Sequence, residues 1–134
     1  MKTASHFTFF GAGRISISLG SPRGLPAGYR IFKVLAPKRE WMNAPRELYI
    51  PRFRAEVLAP LDPQQVWDKL HELANGAEPV LQCFEKPPFT VENFCHRRLV
   101  AEWFGDRLGH EVLELEPQSR PKAEPKPEPQ PSLI

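Results

Sequence analysis

From Arg14 to Leu19 the chain alternates polar and apolar side chains, Arg-Ile-Ser-Ile-Ser-Leu, the period of two that belongs to a strand. Residues 20–46 lose that regularity. They are rich in Gly, Pro and Arg and read as a long irregular segment with room for one short strand near Tyr29 to Leu35. Glu47 to Leu58 can form a helix, which Pro51 is expected to hold back until about Ile50. The next helix is better marked. Asp62 suits its N-cap, Pro63 its first position and Gly76 a left-handed end, and Val66, Trp67, Leu70, Leu73 and Ala74 build one apolar face.

Pro79 to Phe84 is a short apolar run bounded by turn residues, hence a buried strand. A connection over Glu85 to Phe94 follows, and Cys95 to Leu108 predicts a helix with the stripe Leu99, Val100, Trp103, Phe104 and Leu108. Asn93 can cap its start and Gly109 its end, and His110 to Leu115 is a last strand. Strands alternating with helices predict an α/β fold: a small parallel or mostly parallel sheet with flanking helices, Rossmann-like in three layers or an incomplete variant. Residues 1–116 form one expected domain. Pro117 to Ile134 has six prolines among Lys, Glu, Gln and Ser and reads as a disordered tail whose protein partner, if it has one, is unknown.

Composition adds a charge asymmetry. Residues 1–54 carry ten basic and two acidic side chains, a balance of +8, while residues 55–116 carry five basic and twelve acidic, a balance of −7. Either the two halves pair their surfaces, or one basic face, with Arg14 and Arg23 among its members, attracts a phosphate-bearing partner such as a nucleotide or nucleic acid. No apolar run approaches the length of a membrane span, and Met1 to Phe10 lacks the features of a signal peptide, so no membrane partner and a cytoplasmic location are expected. Two cysteines make no disulfide framework, and in a reducing compartment Cys83 and Cys95 are expected as thiols.

The chemistry-bearing residues gather around the second predicted strand and the helix after it. A loop at the carboxyl end of a parallel strand lies on the rim where open α/β sheets bind ligands. It would deliver Cys95, His96 and Arg97 into a first helical turn, where free N–H groups and the helix dipole hold anions. On this reading Cys95 is a thiolate nucleophile, His96 or Glu85 a base, and Arg97 with Arg98 an anion clamp, with Cys83 beside them. Each element also has a plain structural role: Cys83 as a small apolar residue, His96 as part of its helix.

Leu81-Gln-Cys-Phe-Glu-Lys86 followed by Phe94-Cys-His-Arg-Arg-Leu-Val-Ala-Glu-Trp103 resembles the signature of the DUF488 family of uncharacterised bacterial and archaeal proteins. The resemblance covers roughly residues 12–110, and Gly13-Arg-Ile-Ser-Ile-Ser18 and Leu35-Ala-Pro37 look like the family's shorter variants. It implies Cys83, Glu85, Cys95, His96 and Arg97 as site residues and brings no established activity. Neither cysteine has the arginine spacing of a cysteine phosphatase, since Ala101 and Phe89 stand where arginine would. Gly11-Ala-Gly13 continues without the third glycine of a dinucleotide site, and no Walker or His-Glu-x-x-His motif occurs. Cys83, Cys95 and His96 have unsuitable spacing for zinc and no evident fourth ligand, so no metal is expected and the cofactor stays unassigned. Three readings remain open: a phosphate-ligand site, catalytic or not; a dithiol redox or regulatory site; and a non-catalytic interaction module.

Overall fold

A strand the hydrophobic pattern does not announce lies inside the sheet. The computed structural model describes residues 1–90 and 93–118. It places β1 (Lys2–Ser5) between β4 (Val80–Cys83) and β5 (Leu113–Glu114), while β4 also borders β2 (Arg14–Ser16), which borders β3 (Arg30–Ile31). Every pairing is parallel. β1 carries Thr3 and Ser5 with no exposed surface and only Ala4 as a buried apolar side chain. Its burial comes from pairing on both edges, and no alternation in its sequence records it.

The register sets Ile15 and Thr3 on either side of Leu81, and Ser5 beside Cys83. Side chains alternate across a strand, so Ile15, Leu81 and Thr3 share a face. On it Ile15, Ile17 and Leu81 join Leu70 of α2 (Pro63–Ala74) and Val100 and Phe104 of α3 (His96–Leu108) in one apolar cluster. The reverse face presents Ser16 and Gln82, whose amide donates to the Ser5 and Phe9 carbonyls. The arrangement is a small α/β fold with a five-stranded, all-parallel sheet.

α2 begins and ends as its sequence demands. The Asp62 carboxylate accepts from the Gln64 and Gln65 N–H groups, and the chain turns left-handed at Asn75 and again at Gly76. Two expectations change. α1 (Arg46–Arg52) starts before Ile50 and contains Pro51, then continues as a π-helical segment, Phe53–Leu58. Proline removes one N–H from the ladder, and the Phe53 N–H is shared between the Tyr49 and Ile50 carbonyls. Asn93 does not cap α3: its amide ties the Lys86 and Pro88 carbonyls across the preceding loop, and Cys95 is the N-cap residue, with no side-chain cap bond. The irregular segment contains β3 and a 3₁₀ turn at Lys33–Leu35.

Of the expected tail, all but Pro117 and Gln118 lies outside the described residues. Gln118 donates its N–H to the Thr8 carbonyl. Among the described residues no helix is long and apolar enough to cross a membrane.

Candidate functional site

The carboxyl ends of β1, β2 and β4 meet the start of α3, and there the buried side chains turn polar. His6, Ser16, Ser18, Gln82, His96 and Arg97 are all buried, together with Cys83 and Cys95. Parallel strands converge on this rim, and the first turn of α3 closes it because the loop after Cys83 returns the chain to the end of its own strand.

Cys83 and Cys95, twelve residues apart, are joined as a disulfide, with their Cα atoms 7.2 Å apart. This corrects the expectation of two separate thiols, and of Cys95 as a lone thiolate. The bridge ties the end of β4 to the N-cap of α3. Each of its cysteines also lines a pocket. Cys95 lines one of about 560 Å³ with Arg46, Phe89, Phe94, Arg98 and Glu102. Cys83 lines one of about 270 Å³ with Ser18, Asn43, Tyr49, Glu85 and His96.

Arg97 is fully buried and contacts the bridge on its Cys83 side. Its Nε and Nη2 donate to the two carboxylate oxygens of Glu114 at 2.9 and 2.7 Å, and its Nη1 donates to Cys83 Sγ at 3.1 Å. The Phe89 ring covers it, 4.9 Å from ring centre to guanidinium carbon. A guanidinium so engaged is not an open anion clamp. Arg98 is also bound, to Thr3 Oγ1 at 2.8 Å and the Val112 carbonyl at 3.0 Å.

His96 is fixed by backbone. Its Nε2 lies 2.8 Å from the Ile17 carbonyl, which can only accept, so Nε2 carries the proton and Nδ1 keeps its lone pair. That lone pair faces Cys95 Sγ at 4.0 Å. Burial, with Arg97 and His6 adding to it against the opposing Ile17 bond, lowers the His96 pKa to about 4, so the ring is neutral near pH 7. Glu85, the other predicted base, has no hydrogen bond to His96 among the described residues but shares a pocket with it. It lines the smaller pocket beside Tyr49, whose hydroxyl is held neutral by burial first and by Glu85 second.

The sequence pattern missed His6, Ser18 and Glu114. His6, 1% exposed, approaches Ser18 Oγ through Nε2 at 3.0 Å. Ser18 gives its own proton to the Gly20 carbonyl, so His6 Nε2–H is the donor and Nδ1 the bare acceptor. That Nδ1 is buried with no hydrogen-bond partner among the described residues. Burial, then Arg97 and Arg14, lower its pKa to about 4. A histidine directly after a strand end was the available signal, but β1 itself was invisible.

The remaining predicted residues are Arg14 and Arg23. Arg14, buried at the start of β2, spends its guanidinium on the Gly11, Pro26 and Ala27 carbonyls. Arg23 is exposed in the loop before β3. Among the described residues, one group has metal-ligand chemistry: the ligand atoms of Cys83, Cys95 and His96 lie within 4.8 Å of one another.

No curated protein and no solved structure matches the chain. A family model described as the active DUF488-N3 subclade matches residues 12–108. That match runs from just before β2 to the end of α3 and takes in Cys83, Glu85, Cys95, His96 and Arg97, while leaving His6 and Glu114 outside it. Since it spans well over half of the sequence and contains the bridge-bearing strand end and helix start, the chain belongs to the DUF488 family.

Proposed function

We propose that the protein works through reversible opening of the Cys83–Cys95 bridge at the sheet rim. The observation that carries this reading is the Arg97 guanidinium, 3.1 Å from Cys83 Sγ. A hydrogen-bonding cation favours a negative sulfur, and a better-stabilised thiolate is a better leaving group. A thiolate of a small thiol or a protein thiol attacks Cys95 Sγ from the larger pocket. The S–S bond breaks, a mixed disulfide forms at Cys95, and Cys83 leaves as a thiolate against Arg97. A second thiolate then attacks the incoming sulfur, releasing Cys95 as a thiolate and the reductant as its own disulfide. Two electrons pass to the protein and two thiolates remain to take up protons. Opening the bridge frees the start of α3 from the end of β4, which also gives a regulatory use of the same step.

Equilibration in glutathione buffers of graded ratio, quenched with an alkylating agent and weighed, tests it. The expected result is one two-electron transition between an unlabelled and a doubly labelled chain. Trapping of the mixed disulfide in a Cys83→Ser variant is expected at Cys95. A chain that never labels while folded would end this reading.

A second reading has an observation of its own. Arg46 lines the larger pocket with Cys95 at the start of α3, which suits a phosphate-bearing ligand at a helix N-terminus. Nucleotide added to the reduced protein should then slow alkylation of Cys95, and Arg46→Ala should remove that protection.

A further inference from the structure

Along the chain, Cys83 and Cys95-His96 have no spacing that suggests a metal. Folding changes that by returning the loop after β4 to the end of the same strand, which sets two sulfurs and one imidazole nitrogen within 4.8 Å of one another. We propose that the reduced protein binds a soft divalent cation of the zinc class through Cys83 Sγ, Cys95 Sγ and His96 Nδ1, and that forming the bridge expels it. This rests on the dithiol reading above, since both sulfurs must be thiolates to ligate.

Three features support it. The first is the histidine. A ligating imidazole commonly donates its other ring N–H to a backbone carbonyl, which fixes the tautomer and aims the lone pair. His96 does so through Nε2 and Ile17, and its free Nδ1 faces Cys95 Sγ at 4.0 Å. Tetrahedral bonds of about 2.3 Å to sulfur and about 2.0–2.1 Å to nitrogen place such atoms roughly 3.6 Å apart, so a few tenths of an ångström of movement suffices.

The second is the separation of the cysteines. Their Cα atoms are 7.2 Å apart, beyond the roughly 4.4–6.8 Å common for bridged pairs. Two thiolates on one tetrahedral ion stand about 3.8 Å apart, which the wider Cα spacing suits. The third is charge. Two thiolates neutralise a divalent cation, and Arg97 with Glu114 forms a neutral pair whose Nη1 is hydrogen-bonded to the Cys83 sulfur. Three protein ligands leave one position of the ion open, and each cysteine lines a pocket.

Expulsion balances with a two-electron oxidant such as hydrogen peroxide. The two thiolates lose one electron each and form the S–S bond. The cation leaves in its original oxidation state, and peroxide takes the two electrons and two protons to become two waters.

The full chain is reduced with a phosphine under anaerobic conditions, its thiols are counted, and Co²⁺ is titrated in, followed by Zn²⁺ in competition with a chromophoric chelator. Two free thiols and one equivalent of Co²⁺ with a thiolate-to-cobalt charge-transfer band are expected, with none in the bridged protein. Peroxide should release one Zn²⁺ as two thiols disappear. His96→Gln should weaken Co²⁺ by at least about tenfold while keeping both thiols. Cys95→Ser should abolish the charge-transfer signature of a two-thiolate site, which keeps the test open if the histidine variant misfolds. Two thiols without cobalt binding, equal binding by the bridged protein, or binding indifferent to His96 would overturn the metal site and leave the dithiol reading intact. No thiols after reduction would overturn both.

Discussion

At the amino end of the sheet, Arg14 donates to three backbone carbonyls, whereas at the carboxyl end Arg97 divides its guanidinium between a carboxylate and a sulfur. Both side chains are buried. The partners of Arg14 cannot change their charge, so two of its bonds fix the loop of residues 20–29 onto β2 and the third holds the Gly11 carbonyl. The sulfur beside Arg97 can become a thiolate, so this contact differs in strength between the bridged and opened states. The same residue type is thus a fastening at one end and an electrostatic element of a changeable site at the other. The sequence singled out both arginines, and only their partners separate them.

The largest expected effect comes from removing the counter-charge of Arg97. Glu114→Ala leaves a guanidinium buried without its carboxylate and is expected to cost about 3–5 kcal/mol in chemical denaturation. Arg97→Met, which removes the charge and keeps the volume, should cost less, because an apolar replacement leaves no buried charge unpaired. Equal losses in the two variants would mean that the pair contributes packing alone.

Acid should act at the rim and spare the amino end. His96 titrates at 6.5 when unfolded and at about 4 when folded. Between those values the unfolded chain binds the proton that the folded chain refuses, so stability is full above pH 6.5 and falls as pH drops toward 4. At about 1.4 kcal/mol per pH unit the loss from His96 approaches roughly 3 kcal/mol at pH 4, and His6 adds in the same direction. His96→Gln should flatten the curve of stability against pH in that window. An unchanged slope would place the acid sensitivity elsewhere.

At the amino end the weak point is backbone, not charge. Gly13 has φ +85°, and a Cβ there would strike the Glu78 carbonyl oxygen while the Gly13 carbonyl accepts from Val80 at 2.8 Å. Gly13→Ala is expected to cost about 2–3 kcal/mol by thermal or chemical unfolding, from strain and from displaced pairing of β2 with β4. Its cysteine chemistry should match the parent's once folded. A changed bridge potential in this variant would show that the two ends of the sheet are coupled.

What could be read in advance follows the same division. α2, α3 and β4 were legible because their apolar periods face one core and because Asp62, Pro63 and Gly109 punctuate them. β1 was illegible because Lys-Thr-Ala-Ser has one apolar residue and is buried through pairing with β4 and β5. With β1 went His6, which only its position after that strand marks. Pro51 argues against a helix that begins before Ile50, yet the structure accommodates it through the π-helical segment that follows. At the site, residue types were legible and partners were not. Adjacency suggested that Arg97 serves Cys95, but the first turn of α3 rotates it onto Cys83 and onto Glu114, seventeen residues further on. No local pattern encodes a contact between a strand end, a helix start and a later strand.

The smallest effect should come from a pair with the same chemistry as Arg97 and Glu114 but left in water. Arg54 Nη2 lies 3.2 Å from Glu102 Oε2, and both side chains are more than half exposed. Neither charge is desolvated, so removing one leaves its partner hydrated instead of stranded. Added salt also weakens what attraction exists. A double-mutant cycle over Arg54→Ala and Glu102→Ala is expected to give a coupling of about 0.2–1 kcal/mol that fades toward zero in high salt. The corresponding cycle over Arg97 and Glu114 should be several-fold larger and nearly indifferent to salt. Glu102 also lines the larger pocket, so its loss should speed the reaction of Cys95 with an anionic thiol reagent while leaving the fold in place. If the exposed pair couples as strongly as the buried one, desolvation is not what distinguishes Arg54–Glu102 from Arg97–Glu114.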